Sequence, residues 1–218
     1  MHQSILHFPN IQLQARDGHK LRGYFAQLFG RDSDLWHNHQ SDGKVIYRYP
    51  LIQYKVIAGA PMLVGIEAGA QLLIQRFLNI DQMEINGQQI QVQEKNLQSH
   101  DLAVGVQESL FDYRFVHPWI ALNQKNFPQY NALPVPERKN YLEKILQNNI
   151  LAFYKGIQHF ETQRIMVKIH RFTTTPVQFK NEKMLGVYGQ FTSNALVPDY
   201  IGLGKSVSRG FGTIIKNK

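Results

Sequence analysis

Apolar and polar positions recur along this chain in an order that predicts one small unit used twice. Ile11 and Leu13 continue the apolar spacing of Ile5 and Phe8, which suits a half-buried strand. Leu21, Tyr24, Phe25, Leu28 and Phe29 then follow Asp17-Gly18 at three- and four-residue steps, the pattern of an amphipathic helix, which Gly30 ends. Two strands are expected near Val45 to Ile57 and Met62 to Ile66, joined by the turn-forming Ala58-Gly59-Ala60-Pro61. A second helix is expected from about Ala68 to Leu78. The segment Met83 to Val92 alternates around Asn86-Gly87, a strong hairpin signal, and would complete a β-α-β-β-α-β order.

The polar stretch Gln93 to Asp101 reads as a connector, after which the theme repeats. Tyr113, Phe115 and the run to Leu122 read as strand. Pro134 and Pro136 introduce a long helix with Leu142, Ile145, Leu146, Asn149, Phe153 and Ile157 on one face, Pro136 suiting its first turn. Strands Ile165 to Phe172 and Met184 to Thr192 follow, then a glycine-rich loop and a short strand. The expected fold is α+β, two tandem ferredoxin-like (RRM-like) domains over residues 1–97 and 98–218.

Composition supports two folded halves, because 43% hydrophobic and 18% charged residues are ordinary globular proportions and no low-complexity tract argues for disorder. The lack of cysteine excludes a disulfide framework or a thiolate zinc site, and makes a reducing cytoplasm the natural setting. No apolar run approaches the roughly 20 residues that cross a bilayer. Nor do the first residues carry the charged segment and apolar core of a signal peptide, so a cytoplasmic protein without a membrane partner is expected.

The net charge of +8 is very uneven. Residues 1–109 hold nine Lys and Arg against ten Asp and Glu, whereas residues 110–218 hold fifteen against six. A one-sided basic half is what a nucleic-acid binder would show, since phosphate contacts dominate such affinity; ordinary solubilising charge is the competing reading.

The most informative local feature is Gly202-Leu203-Gly204-Lys205-Ser206-Val207-Ser208-Arg209-Gly210-Phe211-Gly212. Gly202, Gly204, Gly210 and Gly212 let the backbone adopt positive φ, approach a ligand closely and expose N–H groups as an anion nest. Lys205, Ser206, Ser208 and Arg209 add charge and donors. A tight turn between strands is the plainer reading. Gly204-Lys205-Ser206 also matches the end of a nucleotide-binding P-loop, but Asp199 stands where that motif needs glycine, and too few residues follow for its helix.

With its two Gly-apolar-Gly steps around a basic insert, this loop resembles that of the RAMP superfamily, and in particular of the CRISPR repeat-processing endoribonucleases. The tandem ferredoxin-like reading agrees with that family's fold. The resemblance implies an enzyme that binds a CRISPR repeat in a precursor transcript and cuts it once, without metal or cofactor. Its implied partners are that RNA, other CRISPR-associated proteins and a second copy of the chain. It places the catalytic histidine just after the first helix, in Leu35-Trp36-His37-Asn38-His39, where His39 fits and His37 resembles the second member of a histidine pair. Tyr47 or Tyr49 would assist, Tyr47 being preferred, and Lys44, Lys55 or Arg31 would supply the cation found in some members.

These residue types suit RNA cleavage on chemical grounds alone. A neutral imidazole takes the 2′-OH proton, the oxygen attacks the adjacent phosphorus, and a second donor protonates the departing 5′ oxygen. Histidines two apart could instead ligate a metal or have no function, and Trp36, Phe115 and Trp119 could stack bases or simply fill a core. A silent RNA-binding subunit is the main alternative function, and a nucleotide hydrolase a third.

Overall fold

The computed structural model describes residues 1–37, 48–179 and 182–217, which divide into two compact units. One is Met1–Leu102 with Ser208–Gly210, the other Ala103–Val207 with Phe211–Lys218.

In the first unit β1 (His2–His7), α1 (Gly18–Phe29), β2 (Ile52–Ile57), β3 (Ala60–Ile66), α2 (Ala68–Arg76), β4 (Gln82–Ile85), β5 (Gln88–Gln91) and β6 (Asn96–Asp101) follow one another. An antiparallel sheet runs in the order β2-β3-β1-β6, with α1 and α2 against one face. Its core gathers Leu6, Phe8, Leu21, Phe25, Trp36, Tyr54, Leu63 and Leu73, all fully buried. On β2 the alternation sends Ile52, Tyr54 and Val56 into this core and Gln53 and Lys55 to the other face.

Three sequence expectations need correction here. The Asn86-Gly87 hairpin forms, with φ of 59° and 74°, but as a separate two-stranded sheet of β4 and β5. The fourth strand is instead β6, in the stretch that reads as a connector, because an outer strand with one exposed edge and mostly exposed side chains carries no apolar alternation. Ile11 and Leu13 lie beyond β1 in an irregular segment, although Ile11 is buried. Of the expected Val45–Ile57 strand, residues 45–47 lie outside the described residues and the described strand begins at Ile52.

The second unit comprises β7 (Gly105–Phe115), α3 (Asn126–Ala132), α4 (Val135–Gly156), β8 (Val167–Phe179), β9 (Glu182–Leu196) and β10 (Ile214–Lys216), in the sheet order β10-β7-β9-β8. The last strand lies beside the first, as in the first unit. Both sheets thus have the ferredoxin-like order, but where the first unit has α2 the second has residues 197–213, with a short 3₁₀ turn at Val207–Arg209. The strand reading stops at Phe115 rather than Leu122; beyond it, Trp119 bridges Val187 alone. The buried stripe of α4 is Leu142, Leu146, Ile150, Phe153 and Tyr154, rotated from the expected Ile145–Ile157 face. Tyr154 is drawn inward because its hydroxyl donates to Leu196 O at 3.1 Å and accepts Gly105 N–H at 3.2 Å. Among the described residues no helix is long and apolar enough to cross a membrane.

Gly23 sits exposed inside α1 with nothing within 4 Å of where a Cβ would stand. Gly23→Ala should therefore stabilise the first unit by about 0.5–1 kcal/mol, read as a raised urea midpoint, through lost freedom of the unfolded chain.

Candidate functional site

The histidine segment is held from behind by the core. After α1 the Ser33 hydroxyl accepts Leu35 N–H at 3.2 Å and caps a 3₁₀ turn over Asp34–Trp36. Trp36 is fully buried, with ring centroids 4.9 Å from Phe29 and 6.3 Å from Phe25, and its carbonyl accepts the Tyr54 hydroxyl at 3.0 Å. His37 emerges next. Its N–H donates to Asp34 O at 3.3 Å, its Nδ1 lies 3.3 Å from the same oxygen, and its carbonyl accepts from the Arg22 guanidinium. His39 and Tyr47 lie outside the described residues, as does Lys44.

Arg22, on α1, was not singled out by the sequence, where it is one more cation on a helix's polar face. It stands at the centre of this region. Besides holding His37, it is close enough to Arg209 that its charge, after desolvation, lowers the Arg209 pKa. Desolvation lowers that of Arg22 as well, against a smaller opposite effect from Tyr54. The structure therefore brings His37, Arg22 and Arg209 together. Arg48 pairs with Asp34 at 2.8 Å, tying the far side of the segment to the same turn, and Arg31 is exposed.

A second chain of polar contacts runs along β2. Lys55 Nζ donates to Gln53 Oε1 at 2.9 Å, and Gln53 Nε2 donates to the Tyr49 hydroxyl at 2.9 Å and to Pro50 O at 3.3 Å. Lys55 and Gln53 have no exposed surface. Gln53 was missed because period-two alternation assigns such a polar position to solvent. Desolvation pushes the Tyr49 hydroxyl well above its usual pKa, the Gln53 contact partly offsetting it.

The glycine-rich loop is built more tightly than an open nest requires. Gly204 has φ +90°, and an added Cβ would stand 2.6 Å from Trp119 Nε1; at Gly212, φ +64°, it would stand 1.9 Å from Leu203 O. Leu203 N–H donates to Gly212 O and Gly212 N–H to Pro118 O, both at 2.9 Å, while Gly202 bridges Thr213. These two glycines serve close packing, as the tight-turn reading demands. Lys205 is exposed with its N–H on Ile120 O at 3.1 Å, Ser206 takes a left-handed φ of 62°, Ser208 is half-buried and Gly210 has φ +93°. Trp119 is fully buried and Phe115 nearly so, stacked with centroids 5.3 Å apart, so like Trp36 they fill cores. Among the described residues no three His, Asp or Glu side chains converge as a metal site requires.

Burial pushes the Lys55 ammonium down to about 7 from 10.5. Between those values the unfolded chain keeps a proton that the folded chain has released, so this group makes stability rise with pH across that window. Urea unfolding at about pH 7 and about pH 9 should show a gain for the unaltered protein that Lys55→Met lacks, on the order of 1 kcal/mol per pH unit.

Comparison with known proteins places both units. Residues 2–103 match the family model of the Cas6b N-terminal domain and residues 105–217 that of the Cas6b C-terminal domain. A crystal structure of Cas6b superposes with a TM-score of 0.92 at 35% identity, covering all of both chains. A crystal structure of the CRISPR RNA processing endoribonuclease Cas6b gives 0.79 at 33% identity over all of both chains. An uncharacterized protein of Methanocaldococcus jannaschii, MJ0978, is 34% identical over 139 residues, 64% of this chain and 95% of that one.

Proposed function

The chain belongs to the Cas6b family, and from that premise we propose that it is an endoribonuclease that cuts CRISPR repeat RNA in a precursor transcript without a metal ion. The observation that carries this reading is the group formed by His37, Arg22 and Arg209, two desolvated guanidiniums of which one is bonded to the His37 carbonyl. Like charges brought together and partly stripped of water are unfavourable alone, and a phosphodiester offsets both costs. The reading assigns the insert between the packed glycines Gly204 and Gly212, with the side chains of Lys205, Ser206, Ser208 and Arg209 and the backbone at Gly210, to holding the sugar-phosphate strand.

In the proposed reaction one of His37 and His39 takes the proton of a 2′-OH. The freed oxygen attacks the neighbouring phosphorus, and the other histidine returns a proton to the 5′ oxygen as its bond to phosphorus breaks. Tyr47 and the guanidiniums stabilise charge on the non-bridging oxygens of the crowded phosphorus. The products are a 5′-OH end and a 2′,3′-cyclic phosphate, and no atom is drawn from water in this step.

Repeat RNA should be cut in excess EDTA, and a single 2′-deoxy substitution at the cut site should block cutting while binding persists. His39→Ala should slow single-turnover cleavage by about 10² to 10⁴ with RNA still bound. Arg22→Met should lower the cleavage rate as well as affinity, since it loosens His37 and removes a cation from the phosphate. RNA held tightly but never cut by the unaltered protein would instead mark a silent RNA-binding subunit.

A further inference from the structure

The second sheet carries a feature that the cutting site does not use. Arg114 on β7 and Arg171 on β8 are both direct cross-strand partners of Gln190 on β9, so the three lie in one row across adjacent strands. All three are exposed. Strand spacing puts the two arginine backbones about 10 Å apart with the amide between them. The register shift between Ile169 and Arg171 alters the alternation of β8 immediately before this row. Along β9 the next residue is Gly189, whose position alternates to the other face, where a Cβ would stand 2.7 Å from Arg171 O and 3.1 Å from Phe172 Cβ. The following row pairs Tyr188, 38% exposed, with Thr173. Arg114, Arg171, Phe172, Thr173, Tyr188 and Gln190 line one shallow open pocket.

The neighbouring carboxylate is engaged elsewhere. Asp112 accepts the Thr192 hydroxyl, which lies 2.6 Å from His170 Nε2, and it is 4.0 Å from that imidazole. Among the described residues no hydrogen bond or ion pair engages the side chain of Arg114 or Arg171. Two forked donors, an amide able to read a base edge, and an aromatic ring two residues along the same strand are the parts that take an unstacked nucleotide. A duplex buries its base faces and could use only the cations.

We propose that this row is a second RNA subsite, in which Arg114 and Arg171 hold phosphates of a single-stranded stretch while Tyr188 stacks a base and Gln190 contacts its edge. It rests on the reading of the chain as an RNA-binding endoribonuclease and deepens it, because it gives the protein a grip on unpaired RNA that none of the residues assigned to cutting supplies.

The test is fluorescence anisotropy of the full chain with labelled oligouridylate across a salt series. Arg114→Ala with Arg171→Ala should weaken binding about 10- to 100-fold and flatten the dependence of log affinity on log salt by about 1 to 2. Tyr188→Ala should weaken it about 5- to 100-fold with an unchanged salt slope, since stacking releases no counterions. The side chains are exposed, and matching circular dichroism and melting of Arg114→Lys with Arg171→Lys, which should keep the salt slope, guards against a folding artefact. Unaltered affinity and slope in the alanine variant overturn the subsite even if the protein cuts repeat RNA. Polyglutamate competing as well as oligouridylate, with no effect of Tyr188→Ala, overturns it in favour of an acidic polypeptide. If the unaltered protein cuts no repeat RNA yet its oligouridylate binding shows both dependences, the cleavage reading falls and the subsite stands.

Discussion

The indole of Trp36 fixes the chain one residue before His37. It is fully buried against Phe25 and Phe29, and its carbonyl is bonded to Tyr54, itself a core residue of the central sheet. Truncating a buried aromatic of this size typically costs about 3–5 kcal/mol, far more than the preference of any short turn. The approach to the histidines is therefore set by packing of α1 on the sheet, and the turn over Asp34–Trp36 follows from it. Arg22 adds the last constraint by reaching from α1 to the His37 carbonyl, so the helix that buries the indole also orients the backbone that leaves it.

Electrostatics at three cations of the first unit work against folding. Arg22 and Arg209 are partly desolvated, Arg209 feels the charge of Arg22, and the Lys55 ammonium is buried to the point where its pKa falls to about 7. Each is an unfavourable arrangement for an isolated chain, because burial disfavours the charged form. In the proposed function an anion with several oxygens would offset this at Arg22 and Arg209, replacing lost hydration, separating the like charges electrically and taking the forked donors of both guanidiniums.

The two-unit α+β organisation is legible in the residues because the apolar faces of α1 and α4 and the alternation of β2 and β3 are strong local signals. What is not legible has a physical reason in each case. The outer strand β6 buries too little to leave a pattern. Gln53 and Lys55 look like solvent positions because burial of the second face of a strand is a tertiary event. Tyr154 displaced Ile145 and Ile157 from the buried stripe of α4 because its hydroxyl could satisfy two backbone groups inside. The loop from Gly202 to Gly212 is conspicuous in sequence, yet the fit of Gly204 against Trp119 and of Gly212 against Leu203 needs two glycines for packing before any ligand is considered. Arg22 left no signal because its partners, a carbonyl at residue 37 and a guanidinium at residue 209, are distant along the chain.

The two units use one strand order to opposite ends, and the difference lies in a single face. In the first sheet the face away from α1 and α2 hides Gln53, Lys55 and Val64, so its polar groups must find partners within the protein, as Lys55, Gln53 and Tyr49 do. In the second the row Arg114–Gln190–Arg171 stays open, and its donors can be satisfied from outside. Replacing a second helix by residues 197–213 changes the helix side of that unit without disturbing the order β10-β7-β9-β8. Tyr113, Phe115 and Phe191 of β7 and β9 are spent on the core, whereas Arg114, Arg171, Tyr188 and Gln190 on the same three strands are not.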